Sequence, residues 1–235
     1  MTLFWRIGRI AAVALCVIAA ADPNPLTGRV VKTGLYLYSG HENSLVRLSA
    51  NGVIVVNGQP PENYKALLSH IHRISETPVR LLITTDHHIA RTGTNASFHA
   101  AGVEILAQRA VYRNMTNAAI GDIPVQPPTR TYDRELSVTL GGIDLKVLHF
   151  GNAHTNGDSV VYFPDLKVVA VGDLFTAGAP DPDYAAGGSL ATWGAVLDDV
   201  LKLDFDTVVP GSGPLATRAD LIAFKHRVEA LDALR

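Results

Sequence analysis

Cysteine is almost absent from this sequence, which limits the crosslinks and metal sites that the chain can form. Cys16 is the single cysteine among 235 residues, and it lies in an N-terminal apolar segment that we expect to be removed. A mature chain without cysteine forms no disulfide bond and no zinc–thiolate site. Any metal ion must therefore be held by histidine and carboxylate ligands.

Runs of like charge are lacking as well. The chain has 20 Lys and Arg residues against 22 Asp and Glu residues, and its formal net charge is −2. Nucleic-acid surfaces need clustered Lys and Arg, so we expect no nucleic-acid partner. A composition of 47% hydrophobic and 18% charged residues is typical of a globular chain and excludes long disorder. It favours no particular oligomeric state.

No apolar run reaches the roughly 20 residues that a membrane-spanning helix needs. The nearest candidate, residues 10–21, follows Arg6 and Arg9 and ends in small residues. A basic start, about 12 apolar residues and a small-residue exit are typical of a cleaved secretory signal; the alternative is an uncleaved anchor. We expect residues 1–21 to be a signal peptide and residues 22–235 to form one domain. The mature protein is then periplasmic or secreted, with no membrane association.

Short strand-like runs alternate with turns in both halves of the chain. An Asn-Gly turn at residues 51–52 predicts an early β-hairpin. Helical spacing of apolar residues predicts helices over residues 60–74, 189–203 and 218–234. The proline-rich residues 117–130 are predicted to form a loop. Strands followed by a helix–strand unit in each half predict an α/β fold, a four-layer αββα sandwich of two mixed β-sheets with helices on the outer faces.

Polar residues concentrate in four stretches that follow predicted strands, where functional sites commonly lie. The first stretch is Asp86-His87-His88, followed by Ala90, Arg91 and a Gly-Thr-Asn turn at residues 93–95. The other three are A-H-T-N-G-D at residues 153–158, V-G-D-L-F at residues 171–175 and P-G-S-G at residues 210–213.

The order and spacing of these stretches resemble the metallo-β-lactamase superfamily of metal-dependent hydrolases. Members carry H-x-H-x-D-H before a Gly-Gly-Asn stretch, followed by A-H-T-x-G-D, G-D-L and P-G-H-G motifs that complete the ligands of two metal ions. Here the A-H-T and G-D-L motifs match closely, whereas the first and last motifs match in frame and not in every ligand. The resemblance extends from about Leu35 to about Leu221.

The resemblance implies that one of the two metal sites is lost. When residues 93–95 are aligned with the Gly-Gly-Asn stretch, Asp86 takes the place of the first histidine and Ala90 that of the aspartate. Arg91 and Ser212 replace two histidines of the second site, and neither is a good ligand. Arg91 is instead expected to bring positive charge to that place and to satisfy Asp173.

One metal site remains on this pattern, and its implied ligands are Asp86, His88, His154 and Asp173. Asp173 is also the candidate catalytic residue. Four further residues are expected in the pocket or behind the ligands, and they are Asn57, His87, Arg91 and Ser212. His87 is expected to point away from its neighbour, because adjacent side chains of an extended chain face opposite sides.

Two histidines with one or two carboxylates suit zinc, and they can also hold iron, which we favour less. We therefore expect about one zinc ion per chain. Metal-bound hydroxide would then attack an ester, amide, lactam or thioester of a small-molecule substrate. The alternative is a catalytically inactive member that binds a small-molecule ligand, since several ligand positions are replaced. A metal-dependent oxidoreductase ranks last, because the further ligands of a di-iron site are missing.

Overall fold

The computed structural model describes residues 26–117 and 125–235. The predicted signal peptide, residues 1–21, lies outside the described residues. Within the described ranges, no helix is both long enough and apolar enough to cross a membrane.

The first half of the described chain forms a seven-stranded mixed sheet whose strands lie in chain order. These are β1 (Thr27–Lys32), β2 (Leu35–Ser39), β3 (Asn43–Ser49), β4 (Gly52–Val56), β5 (Val79–Ile83), β6 (Glu104–Gln108) and β7 (Arg130–Tyr132). Strands β1 to β4 are antiparallel, and the β3–β4 pairing confirms the predicted hairpin. Strands β4 to β7 are parallel. The helices of this half are α1 (Tyr64–His72), α2 (Ile89–Thr92), α3 (Asn95–Ala100) and α4 (Arg109–Asn117).

The second half forms a six-stranded sheet with the order β13-β12-β11-β10-β9-β8. Its strands are β8 (Glu135–Leu140), β9 (Ile143–Leu148), β10 (Val160–Phe163), β11 (Val168–Gly172), β12 (Thr207–Pro210) and β13 (Ala216–Thr217). Only β11 and β12 pair in parallel. Two helices cover the outer face of this sheet, α5 (Leu190–Leu201) and α6 (Arg218–Asp232). Helix α6 begins with a capping box between Thr217 and Asp220.

The two sheets pack face to face around one apolar cluster. This cluster includes Ile54 and Ile83 of the first sheet and Val161 and Phe163 of the second. A second cluster joins the six-stranded sheet to α5 and α6, and a third joins the seven-stranded sheet to α1 and α3. Helices therefore cover both outer faces, and the predicted four-layer αββα sandwich is confirmed.

Two short strands appear where the sequence pattern does not indicate them. Strand β7 follows the proline-rich stretch and pairs in parallel with β6 over three residues. Strand β13 has only two residues. Segments this short are not long enough to show an alternation of apolar and polar residues. Their strand conformation is set by pairing with the neighbouring strand and not by local propensity.

The loops after β5, β9, β11 and β12 meet at one edge of the sandwich. Backbone hydrogen bonds join them across the two sheets: Ser159 N donates to Thr85 O at 2.8 Å, and Asn43 N donates to Gly211 O at 3.0 Å. Gly211 N also donates to Gly172 O at 2.8 Å. The polar stretches of the sequence are therefore held together by backbone contacts.

Candidate metal centre

Four side chains that could bind one metal ion converge where these loops meet. Ligand atoms of Asp86, His88, His154 and Asp173 lie within 4.8 Å of one another. Asp86 and His88 follow β5, His154 lies in the loop after β9, and Asp173 follows β11. These are the four residues that the sequence motifs placed at one site, and the structure brings them together.

Asp86 is the most deeply buried member of this cluster, with 1% of its surface exposed. Its Oδ1 accepts a hydrogen bond from His88 N at 2.9 Å and lies 3.1 Å from His88 Nδ1. Burial alone would raise the pKa of Asp86, but the contact with His88 and the charge of Arg91 outweigh burial and hold that pKa well below its usual value. The carboxylate is therefore ionised at neutral pH, which is the form that binds a metal ion.

His154 lies between two aspartates. Its Nδ1 is 3.5 Å from Asp158 Oδ1, and its Nε2 is 4.0 Å from Asp173 Oδ2. Burial lowers the pKa of His154, but the carboxylates around it, Asp158 first, outweigh burial and raise the pKa to about 9. Burial also shifts the pKa of Asp158, but upward, because the charged form of an acid is the one that burial disfavours. Two hydrogen bonds from Thr155, at 2.6 and 2.8 Å, favour ionised Asp158, so we place the proton of this pair on His154.

A buried guanidinium, that of Arg91, lies beside the cluster. Its side chain is 1% exposed; Nη2 donates to Asp173 Oδ1, Nη1 donates to Glu42 Oε2, and Nε lies 3.8 Å from Asp86 Oδ2. Burial lowers the pKa of Arg91, but the three carboxylates outweigh burial and raise that pKa above its already high value. The side chain is therefore a permanent cation, and it contacts Asp173 as expected from the sequence.

Asn57 fixes the start of the loop that carries Asp86. Its backbone is left-handed, with φ 61°, a conformation that asparagine adopts more readily than most residues. Asn57 Oδ1 accepts hydrogen bonds from Thr85 N at 2.8 Å and Thr85 Oγ1 at 3.0 Å. Asn57 therefore holds the residue before Asp86 and acts on the cluster through the backbone.

An open pocket of about 300 Å³ reaches the cluster. Its lining includes Glu42, Arg91, His154, Asp173, Trp193 and Ser212. The Trp193 indole is fixed by a hydrogen bond from Nε1 to Leu174 O at 3.1 Å. The pocket gives a small molecule access to His154 and Asp173.

His87 does not point away from His88, contrary to the expectation from an extended chain. The two ring centroids are 4.3 Å apart with the planes at 33°, and both rings face Asp183. The expectation is wrong because residues 85–88 form bends and not a strand, so neighbouring side chains need not alternate. His87 is also buried, with 7% of its surface exposed.

Glu42 and Asp183 reach the site although neither lies in one of the four sequence motifs. Glu42 lies between β2 and β3 and pairs with Arg91; burial raises the pKa of Glu42, while Arg91 opposes that shift. Asp183 precedes α5, and its backbone N donates to His154 O at 2.8 Å. The only signal for either residue is an acidic side chain in a loop, which is too common to indicate a site.

The cluster of four donors fits a divalent ion such as zinc. Imidazole nitrogen and carboxylate oxygen bind zinc at about 2.0–2.2 Å, so two ligand atoms of one ion lie at most about 4.4 Å apart. The distance of 4.0 Å between His154 Nε2 and Asp173 Oδ2 is compatible with a shared ion. Both carboxylates and both imidazoles are of the types that zinc prefers.

Zinc affinity is expected to rise with pH until the pH passes the His154 pKa of about 9. A metal ion and a proton compete for the same imidazole, so the affinity should increase by up to about tenfold per pH unit below that pKa. The same proton stabilises the metal-free fold below the ordinary histidine pKa of 6.5, and this contribution is lost as the pH rises to about 9. Competition titrations with a chelator at several pH values measure the affinity.

Asp158→Asn provides the matched control, because it removes the carboxylate that contributes most to the raised pKa of His154. In this variant the rise in affinity should be complete at a lower pH than in the wild type. An affinity that is independent of pH in the wild type would contradict the assignment of a protonated His154.

Comparison with known proteins places the sequence in one family. A family model described as the metallo-beta-lactamase superfamily matches residues 61–212, more than half of the chain. The 2,4-dinitroanisole O-demethylase subunit alpha of Nocardioides sp. (strain JS1661) is 29% identical over 167 residues, which are 68% of this chain and 49% of that subunit. The chain thus spans about half the length of that relative. Metallo-beta-lactamase type 2 of Bacillus cereus is 24% identical over 203 residues, 82% of this chain and 76% of that protein.

Solved structures show the same fold. A metallo-β-lactamase from Pontibacter korlensis superposes with a TM-score of 0.78 at 19% identity, covering 87% of this chain and 99% of that one. The metallo-β-lactamase FIM-1 from Pseudomonas aeruginosa, in a mono-zinc form, gives a TM-score of 0.76 at 20% identity, covering 88% and 96% of the two chains. The family match and the shared four-layer fold together show that the chain belongs to the metallo-β-lactamase superfamily.

Proposed function

We propose that this chain is a metal-dependent hydrolase that works with one divalent ion, zinc in the simplest case. Its substrate is a small molecule with an ester, amide, lactam or thioester bond. The observation that carries the proposal is the convergence of two imidazoles and two carboxylates within 4.8 Å beside an open pocket. Asp86, His88, His154 and Asp173 would hold the ion.

Arg91 supports a site with one ion in this cluster. Its guanidinium lies between Glu42 and Asp173 and brings a fixed positive charge to a place rich in carboxylates. A second cation there would have to overcome the repulsion of Arg91 in a buried setting, where charges are poorly screened. Ala90 offers no donor in the same region, since alanine has no polar side-chain atom.

The chemistry that a divalent ion supplies in such a site is polarisation of a carbonyl group and activation of water. The chain's own residues position the parts. Asp158 lies against His154 Nδ1 and orients the ring with Nε2 toward Asp173. Arg91 holds Oδ1 of Asp173, which leaves Oδ2 on the side of His154. Asp173 lines the pocket, and we therefore assign it the candidate catalytic carboxylate as well as a ligand position.

The names of the relatives guide the choice of test substrates. The Bacillus cereus relative is named as a β-lactamase, and the Nocardioides relative is named as an O-demethylase subunit that acts on 2,4-dinitroanisole. These names denote different bonds. A substrate panel should therefore contain lactams and an aryl methyl ether in addition to esters, amides and thioesters.

The purified chain, loaded with zinc and freed of excess metal, is expected to retain about one tightly bound ion. Elemental analysis measures the count. Turnover of at least one member of the panel should disappear on chelation and return when zinc is added, because the ion would polarise the carbonyl group and activate water. A chain that retains no zinc after loading would contradict the proposal.

A ligand-binding role without catalysis is the second candidate function, and the Arg91–Asp173 pair is the observation that favours it. This pair occupies one oxygen of a carboxylate that would otherwise be free for an ion. In that case ligand affinity should be independent of zinc, and Asp86→Ala and His88→Ala should leave it unchanged. Zinc-dependent turnover that these two changes abolish excludes this role.

A further inference from the structure

His87 is a buried histidine whose ring makes no hydrogen bond within the described residues. Nδ1 is inaccessible to solvent and has no partner. Nε2 lies 3.6 Å from Asp183 Oδ2, which is too long for a hydrogen bond. Buried polar groups are nearly always paired in native proteins, so an imidazole in this state is an exception. Its Nε2 makes no hydrogen bond to the part of the chain that the structure describes and is the ring atom available to a ligand on the side of Asp183.

His88 and Asp183 complete a set of three donors with His87. Nε2 of His88 lies 3.2 Å from the same Asp183 oxygen, Oδ2, that faces His87. Ligand atoms of the three residues lie within 4.8 Å of one another. The other oxygen, Asp183 Oδ1, accepts a hydrogen bond from Ala186 N at 3.1 Å. That contact holds the carboxylate with Oδ2 toward the two rings.

This second cluster is separate from the place that Arg91 occupies. Arg91 contacts Glu42, Asp173 and, at 3.8 Å, Asp86. None of these three carboxylates belongs to the cluster of His87, His88 and Asp183. The cluster therefore does not restore the second ion of the family pattern but lies on the Asp183 side of His88.

We propose that His87, His88 and Asp183 form a second divalent-cation site that takes zinc or cobalt. Two imidazoles and one carboxylate are the donor set of many sites that keep open positions for water or substrate. A bound ion would contact Nε2 of His87, the ring atom that faces Asp183, and would neutralise the carboxylate that both rings face. The proposal concerns a different position from the proposed hydrolytic site, with His88 as the shared residue.

His88 belongs to both proposed metal sites, so ion binding at one site affects ion binding at the other. Its Nδ1 lies 3.1 Å from Asp86 Oδ1 and its Nε2 lies 3.2 Å from Asp183 Oδ2. A neutral imidazole has one lone pair, so His88 serves one ion at a time. When both ions are bound, only one of them can be coordinated by His88. The other ion is held by the remaining residues of its cluster alone, so the second ion should bind more weakly than the first.

Metal counting on the full chain tests this site. Native mass spectrometry during a cobalt titration is expected to give about two ions per wild-type chain at saturation and about one in His87→Phe or Asp183→Asn. Phenylalanine keeps a ring in a buried place, and asparagine keeps an oxygen for Ala186 N. The control is His70→Phe, because His70 lies on α1 against Tyr38 and should leave the count unchanged.

A second readout separates a metal ligand from a structural histidine. Metal-free His87→Phe should be at least as stable to urea as the wild type, because the change removes an unpaired buried nitrogen. If His87 had a structural role, the same change would lower the stability of the metal-free protein.

The outcomes distinguish this site from the proposed hydrolytic site. A wild-type count that saturates at about one ion, or that His87→Phe and Asp183→Asn leave unchanged, overturns the second site. A count that falls in His154→Ala and stays unchanged in His87→Phe supports the hydrolytic site alone. The reverse pattern supports the second site and overturns the assignment of His154.

Discussion

Arg91→Met is expected to destabilise the metal-free protein by about 3 kcal/mol, because it leaves buried carboxylates without their counter-charge. Asp86 and Arg91 are each 1% exposed, whereas the side chains of Glu42 and Asp173 are 19% and 18% exposed. Because these two carboxylates are partly exposed, we expect the loss of stability to lie at the lower end of the range that is typical of a broken buried ion pair. Urea unfolding of the chelator-treated protein measures the loss.

Added zinc should return part of the stability that Arg91→Met removes. The change leaves three carboxylates around a space without a cation, and a ligand that binds only the folded state stabilises it. Arg91→Lys should also recover part of the loss, since it keeps the charge but not the planar fork that contacts two carboxylates.

Arg109→Met is the matched control for the arginine change. Arg109 pairs with Asp133 at 2.8 Å, but the two side chains are 50% and 66% exposed. Exposed ion pairs contribute between about 0 and 1 kcal/mol, so this variant should unfold close to the wild type. Equal unfolding of Arg91→Met and the wild type would contradict the role of Arg91 as a structural cation.

His154→Ala is expected to lower kcat/KM by at least about 100-fold on any substrate that the zinc-loaded wild type turns over. The change removes one of the two imidazoles of the proposed hydrolytic site, and it leaves Asp158 buried without its cation. Turnover and the number of tightly bound zinc ions should fall together. Both are measured on the same zinc-loaded preparation.

His149→Ala is the matched control for the histidine change. His149 precedes the same loop and its Nδ1 contacts Asp158 O at 2.8 Å, yet His149 belongs to neither cluster of candidate ligands. Turnover in this variant should stay within a few-fold of the wild type. Undiminished activity in His154→Ala would exclude the proposed site even if the control behaves as expected.

The four candidate ligands could be predicted because each lies in a motif at the end of a strand. These motifs resemble those that carry the metal ligands in the metallo-β-lactamase superfamily, and loops at strand ends are where functional sites commonly lie. Arg91 was indicated by the same alignment, as the residue that replaces a histidine. Its contact with Asp173 bridges 82 positions of sequence and follows from the alignment and not from local pattern.

Glu42 and Asp183 could not be predicted in the same way. Glu42 meets Arg91 across 49 positions, through a loop between two antiparallel strands. Asp183 meets His87 and His88 only because backbone contacts fold its loop back onto His154. Neither contact leaves a periodic or spaced signal in the sequence.

The sequence by itself predicted the αββα architecture and, through the resemblance of its motifs to those of the metallo-β-lactamase superfamily, four candidate ligands. The architecture follows from the alternation of strand-like and helical runs along the chain, and the four residues follow from the resemblance to the family's motifs. Only the tertiary structure decided that His87 lies beside His88 and that Asp183 faces both rings. The same holds for the contact of Glu42 with the buried guanidinium. Side-chain direction in irregular loops is set by packing between distant segments, and no local rule of the chain encodes it.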